Sequence, residues 1–210
     1  MEKIAIEYAD FAEYDRRQRG IQRHVLAAFI GGLAVGAVGV FASGFDLGIY
    51  DPYAYLALSI VVGATATGFG WALLTTFLAS ASSLVAAMGG SALGGDLRFD
   101  AIGGTANGVN LLVVQFVVLG LLAYLTRRRD TWGDLAAGLI SGLLIGDVVD
   151  RATPGGIDWE ISFWPVPAVV VGAVAVAGVI ALRRTMAGRA RAAAVACVVS
   201  GMIAVALLAL

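Results

Sequence analysis

The sequence PYAYLALSIVVGATATGFGWALLTTFLASASSLVAAMGGSALGG, residues 52–95, contains no charged side chain in 44 consecutive positions. A single helix needs only about 20 apolar residues to cross the hydrocarbon core of a membrane. The stretch is therefore long enough for two crossings and predicts a helical hairpin. We expect its turn near residues 68–71, because two glycines loosen the helix there and tryptophan favours the membrane interface.

Further apolar runs continue this pattern through the chain. The protein has 210 residues, a mean hydropathy of +0.88, 60% hydrophobic residues and 14% charged residues. This composition excludes a soluble globular class and predicts an all-α, polytopic bundle of seven transmembrane helices. The predicted spans are 25–45, two within 52–95, 111–126, 132–149, 166–182 and 192–210. Residues 25–210 would form one membrane domain.

The segment before the first span has a different composition. Residues 1–24 carry five acids and five bases, and Ile4, Tyr8 and Phe11 are spaced so that they share one face of a helix. We expect a charged cytoplasmic lead-in to the first span, and a short helix that lies at the membrane interface is the alternative.

Basic residues are concentrated in alternate connections between the predicted spans. Twelve of the fourteen lysines and arginines lie in residues 1–24, 127–129 and 183–191. The positive-inside rule therefore predicts a cytoplasmic N-terminus and, with seven spans, a C-terminus outside. We expect a multi-pass protein of the plasma membrane. The sequence carries no basic footprint for nucleic acid, and one cysteine, Cys197, cannot form an intramolecular disulfide.

A glycine stripe marks the fifth predicted span. Gly138, Gly142 and Gly146 recur at every fourth residue, so they share one helix face and let a neighbouring backbone approach closely. If the helix continues for one more turn, Asp150 extends this stripe and points into the bundle, with Asp147 nearly one turn before it. The stripe therefore predicts an acidic group held at the outer end of a tightly packed helix.

The acids at this end have several chemical uses. Two carboxylates spaced i, i+3 near a low dielectric repel each other, so one can hold a proton near neutral pH. Asp147 and Asp150 are therefore candidates for a general acid and base. In a structural alternative, Asp147 ends the helix in water and Asp150 pairs with Arg151 or Arg98. A cation site that also includes Asp158 matches no metal-binding motif, and no metal or cofactor is predicted.

The segment GDVVDRATPGGIDW, residues 146–159, resembles the G-N-x-x-D-R and G-x-V-V-D-F motifs of lipoprotein signal peptidases, the signal peptidase II family. FWPVPA at 163–168 is similar to the family's entry to its last helix. The resemblance implies a membrane aspartyl protease core over residues 76–185 that cleaves lipid-modified proteins near the outer surface. It also implies that Asp150 is the first catalytic aspartate and Arg151 its neighbouring arginine.

The chain departs from this family at positions that matter for catalysis. Asp147 replaces the asparagine of G-N-x-x-D-R. The second catalytic aspartate falls near Val171, where no acid exists. Because an aspartyl dyad needs two carboxylates, Asp147, Asp158 or Asp96 would have to supply the second one.

These features favour an enzyme with hydrolase-like chemistry that acts at the outer face on an amphiphilic or lipid-linked substrate. The candidate catalytic residues are Asp147, Asp150 and Asp158. The candidate substrate-binding residues are Arg151, Arg98, Asn107, Asn110, Trp159 and Trp164. Three alternatives stay open: a non-catalytic subunit that docks onto a larger membrane complex through glycine-rich helix faces, a transporter or channel component that uses the outer carboxylates, and a small membrane terpene cyclase.

Overall fold

The computed structural model describes residues 2–43, 50, 52–93 and 106–209, and these ranges are almost entirely helical, with no β-strand among them. The prediction of an all-α protein is confirmed. The helices are α1 (Glu2–Ser43), α2 (Tyr53–Thr65), α3 (Phe69–Leu93), α4 (Ala106–Leu125), α5 (Thr131–Ala152), α6 (Val166–Leu182) and α7 (Met186–Leu208), with a short 3-10 turn at Ile161–Phe163 before α6.

Within the described ranges, five helical segments are long and apolar enough to cross a membrane: Glu13–Ala42 within α1, all of α3, Gly108–Leu125 within α4, all of α5 and all of α7. The chain is therefore a helical membrane protein. Helices α2 and α6 are also apolar but contain only 13 and 17 residues. At 1.5 Å per residue they measure about 20 Å and about 26 Å, whereas the hydrocarbon core is about 30 Å thick, so α2 in particular is too short to cross it by its own length.

Helix α1 is continuous across the boundary predicted at residue 24. It contains 42 residues and measures about 63 Å. Residues 13–24 contain no proline, and most of them are good helix formers, so nothing in the sequence ends the helix before the apolar segment begins. The charged segment is therefore an extension of the first apolar helix. The predicted apolar face at Ile4, Tyr8 and Phe11 lies outside the described side chains.

The hairpin turn predicted near residues 68–71 is found at residues 66–68, between α2 and α3. Ala66 adopts an extended conformation that ends α2. Two other boundaries differ from the prediction in ways that matter. Helix α5 continues to Ala152, past Asp150, and α7 begins at Met186, so the basic residues at 189 and 191 are helical.

The glycine stripe of α5 packs against α7. A Cβ atom at Gly138 would lie 2.6 Å from the Ala192 carbonyl oxygen, and one at Gly142 would lie 2.8 Å from the Val199 Cβ atom. Both distances are too short for a side chain, so the predicted close approach of two backbones is confirmed. Because α7 already covers this stripe, the α5 glycines do not offer a free face to a partner protein.

Contacts between connections define two ends of the bundle. At one end, which we call the arginine end, Arg127 donates to the Ala66 carbonyl and Arg183 donates to the Thr126 carbonyl. At the opposite end, the acid end, the first residue of α2 meets the last turns of α5 through a hydrogen bond from Tyr53 to Asp147. Helices α2, α4, α5 and α6 therefore run between these two ends.

Candidate functional site

Asp147 lies near the C-terminus of α5 and binds two partners. The Tyr53 hydroxyl donates a hydrogen bond to Asp147 Oδ2. One turn later on the same helix, Arg151 Nε lies 3.3 Å from Asp147 Oδ1 and 3.2 Å from Oδ2. The i, i+4 spacing places this acid and base on one helix face. Asp147 is therefore a partly buried carboxylate held between a phenol and a guanidinium.

Tyr53 is held in place by aromatic packing. Its ring stacks on Phe163, with centroids 6.0 Å apart and an interplanar angle of 21°. The Arg151 guanidinium lies 6.0 Å from the centroid of the Tyr53 ring, within the range of a cation–π contact. Phe163 is buried in an apolar cluster with Ala168 and Val171. Val171, near which the resemblance to signal peptidases places a second aspartate, thus belongs to the apolar cluster that packs behind Tyr53.

Asp150 binds backbone amides, whereas Asp147 binds side chains. Its Oδ1 accepts a hydrogen bond from the Ile157 amide at 2.7 Å, and its Oδ2 accepts one from the Asp158 amide at 3.3 Å. The loop can fold this closely because Gly156 has no side chain: a Cβ atom there would lie 2.7 Å from Asp150 Oδ1. The preceding Gly155 has a φ of 95°, a conformation that other residues rarely adopt. Asp150 therefore organises the loop that follows α5.

These contacts separate the two aspartates that the sequence groups as an acid and base pair. The structural alternative assigned the arginine to Asp150, but Arg151 pairs with Asp147 instead. Arg151 also lies 4.0 Å from Asp158, whose side chain is 59% exposed. Helix α5 continues through Asp150, beyond the predicted end of the span at residue 149, and the carboxylate of Asp150 is engaged by the loop amides.

The rim of the acid end is apolar and aromatic. Trp159 and Trp164, both predicted to bind substrate, are exposed. Between and beside them, Ile157 and Ile161 are also exposed, the latter to 80%. Tryptophan is enriched where a protein meets the membrane–water interface. Residues 157–164 therefore present a surface suited to an interface or to an amphiphilic molecule.

The structure describes only some of the remaining predicted binding residues. Asn110 is exposed on α4 and makes no described contact with the acids of α5. Asn107 lies in the first turn of α4, and its side chain is outside the described part. Arg98 and Asp96 also lie outside the described residues.

Tyr53 belongs to the candidate site, although the sequence did not indicate it. It lies 94 positions before its partner Asp147, so no local spacing relates them. The only sequence signal was an aromatic residue directly after Pro52 at the start of an apolar run. Aromatic residues in such places are usual at membrane interfaces, and that signal alone does not predict a hydrogen bond.

A second polar cluster, at the arginine end, was also missed. Asp134 is buried in the first turn of α5, and its side chain is only 6% exposed. Arg183 Nη1 lies 3.1 Å from Asp134 Oδ1, and Arg191 Nη2 lies 2.7 Å from Oδ2. Asp134 therefore joins α5 to the α6–α7 connection through Arg183 and to α7 through Arg191.

The N-cap of α5 lies beside this cluster. Asp130 Oδ1 accepts a hydrogen bond from the Gly133 amide at 3.2 Å, as an N-cap residue does. Arg128 Nη2 lies 2.6 Å from Asp130 Oδ2. The hydrogen bond from Arg128, with help from the Gly133 amide, lowers the pKa of Asp130 below its usual value.

Among the described residues, no group of three or more His, Cys, Asp or Glu side chains is arranged to hold a metal ion. Comparisons with models of protein families, with curated proteins and with solved structures gave no match. The geometry of the acid end is therefore the basis for a functional proposal.

Proposed function

We propose that the chain crosses the plasma membrane seven times, with its N-terminus in the cytoplasm and the acid end outside. The short helix α2 begins at the acid end and ends beside Arg127, so it connects the same two ends of the bundle as its longer neighbours. Helix α6 begins after the loop of the acid end and ends at Arg183. The excess of arginine at the opposite end supports its assignment to the cytoplasm.

We propose further that Asp147 is the reactive carboxylate of an enzyme that hydrolyses an amphiphilic, lipid-linked substrate. The observation that carries this proposal is the paired contact of Asp147 with Tyr53 and Arg151 at the acid end. A carboxylate that accepts a phenolic hydrogen bond is arranged to take a proton through that phenol. The resemblance of residues 146–159 to signal peptidase II supports a lipid-modified peptide as the substrate class.

In this mechanism each side chain has a separate role. The oxygen of a water molecule bonds to the scissile carbonyl carbon while the water gives a proton to the Tyr53 oxygen and Tyr53 passes its own proton to Asp147. When the C–N bond then breaks, the proton returns from Asp147 through Tyr53 to the leaving amine. Arg151 orients the Asp147 carboxylate, and Asp150 holds the loop that carries the exposed rim. Proton transfer by a positioned group typically contributes about 10²–10⁴-fold to a rate. The exposed tryptophans would hold the apolar part of the substrate at the interface.

The enzyme proposal is tested with the full-length protein in liposomes and a diacylglyceryl-modified peptide that carries a fluorophore. Wild-type protein should release a peptide product that is separable by chromatography. Asp147→Asn should lower the rate about 100-fold or more. Asp158→Asn is the matched control, because it removes the same charge from an exposed position at the same end, and it should keep most of the activity. Absence of product from wild type, or equal rates in both variants, would exclude the mechanism.

The topology is tested independently of the enzyme activity. Cys197 is the only native cysteine, so Cys197→Ala gives a background without thiols. In that background, Asp158→Cys should react with a membrane-impermeant thiol reagent on intact cells, whereas Arg129→Cys should react only after the cells are opened. The reverse pattern would overturn the orientation.

A second candidate function is that of a non-catalytic subunit of a membrane complex. The observation that favours it is the polar extension of α1, where every side chain from position 13 to position 20 is exposed on a continuous helix. A partner would then bind this extension. Purification in mild detergent should yield a stoichiometric partner that is lost when residues 2–20 are deleted, and a monomer from native membranes would count against this function.

A further inference from the structure

A cavity of about 410 Å³ lies at the arginine end, between the α4–α5 and α6–α7 connections. Five arginines line it: Arg127, Arg128, Arg129, Arg183 and Arg184. Its apolar wall includes Ala64 and Leu182, so the cavity combines a basic surface with a contact for hydrocarbon. It is on the opposite side of the bundle from Asp147 and plays no part in the mechanism above.

Arg183 is a fixed cation in the wall of this cavity. It is 5% exposed, and its Nη1 donates to the Arg128 carbonyl at 2.9 Å as well as to Asp134. Its Nε is buried and has no hydrogen-bond partner among the described residues. A buried donor without an acceptor is unusual in proteins. The wall of the cavity thus contains a buried, fixed guanidinium.

The cavity has more positive than negative charge. Asp134 is the one acid in its lining, and Arg183 and Arg191 already occupy both of its oxygens. Arg129 and Arg184 are exposed and make no ion pair in the described part of the chain. These two guanidinium groups are therefore available to a ligand. An anion that entered the cavity would meet them together with the fixed charge of Arg183.

We propose that this cavity binds a phosphate group. Guanidinium groups present paired N–H donors that match phosphate oxygens, and arginine is preferred where phosphate is recognised. Basic pockets between membrane helices are suited to anionic lipid headgroups. The phosphate can belong to an anionic phospholipid, whose acyl chains would contact the apolar wall at Leu182, or to a soluble phosphate compound.

The test uses the full-length protein in neutral detergent with three probes: short-chain phosphatidylglycerol, short-chain phosphatidylcholine and pyrophosphate. Binding is followed by the melting temperature and by microscale thermophoresis. Phosphatidylglycerol should raise the melting temperature saturably, whereas phosphatidylcholine should not. If pyrophosphate also binds saturably, the site recognises phosphate in general. If phosphatidylglycerol binds and pyrophosphate does not, the site recognises the lipid. No saturable binding of either phosphate probe would overturn the proposal.

Charge-matched variants separate the cavity from general attraction to a basic surface. Arg129→Gln and Arg184→Gln should each weaken the apparent affinity about fivefold, the effect of removing one arginine near a membrane anion. Arg23→Gln removes the same charge from an exposed position on α1, outside the cavity lining, and should leave the affinity unchanged. If all three variants weaken the apparent affinity equally, only the net charge of the protein matters, and the proposal that this cavity is the binding site would be wrong.

Discussion

The Asp134→Asn variant tests how strongly the polar cluster at the arginine end stabilises the bundle. Asp134 and Arg183 have side chains that are only 6% and 5% exposed, and the atoms of their ion pair are 3.1 Å apart. The substitution keeps the shape of the side chain but removes its charge. Arg183 then remains buried without a counter-charge, which is the costly consequence of breaking a buried pair.

The expected loss follows from the partners that remain. Removal of one member of a buried ion pair typically costs about 3–5 kcal/mol. Arg183 still donates to the carbonyls of Thr126 and Arg128, so we expect about 3 kcal/mol, the lower end of that range. For a chain of this size, each kcal/mol lowers the melting temperature by about 2–4 °C, which gives a decrease of about 6–12 °C.

The measurement is thermal unfolding of the detergent-solubilised protein, followed by circular dichroism. Asp130→Asn is the matched control, because it removes the same charge from an exposed pair four residues earlier. Pairs at the surface contribute little, so the control should melt close to the wild type. If both variants melt at the same temperature, the Asp134 cluster does not stabilise the fold in the way its burial indicates.

Three further predictions concern other parts of the molecule. Gly142→Leu should lower the free energy of unfolding by about 1–3 kcal/mol, because the new side chain overpacks against α7. Gly178→Leu is the control, because a Cβ atom there would have no neighbour within 4 Å, and it should leave the stability unchanged. Equal stabilities of the two variants would argue against the contact between Gly142 and α7. Gly156→Ala should displace the loop after α5 and speed its proteolysis, as mapped by mass spectrometry, and an unchanged cleavage rate would oppose the loop geometry. The lowered pKa of Asp130 means that its stabilising effect is complete above its unfolded-state pKa and is lost as the pH falls through the folded-state value. The small difference in melting temperature expected between wild type and Asp130→Asn at neutral pH should therefore vanish on acidification, and a difference that grows would contradict this assignment.

Hydropathy and glycine spacing were sufficient to predict much of the helical framework. The bounds predicted for α6, residues 166–182, agree with the structure, and the hairpin turn lies within a few residues of its predicted place. Both features depend on local sequence, since a run of apolar residues must form its hydrogen bonds within a helix when it lies in lipid. The close approach of a neighbouring backbone to the glycines of α5 followed from the same kind of local pattern, although the pattern did not identify that neighbour as α7.

The contacts of the acid end could not be predicted in this way. The spacing of Asp147 and Asp150 suggested a pair, but the loop folds back at Gly156 and gives Asp150 two backbone amides to bind. Tyr53 reaches Asp147 only because α2 begins where α5 ends. Such contacts depend on how distant helices pack, and a local pattern contains no information about that arrangement.

Turnover of the diacylglyceryl peptide by Tyr53→Phe decides whether the phenol and carboxylate form the reactive pair. The substitution removes only the hydroxyl that donates to Asp147 and keeps the ring that stacks on Phe163, so the melting temperature should stay near that of the wild type. We expect kcat to fall by about 10²–10⁴-fold, the range for loss of a general acid–base group. A variant that retains wild-type kcat would show that the proton does not pass through Tyr53, and the proposed site would be wrong.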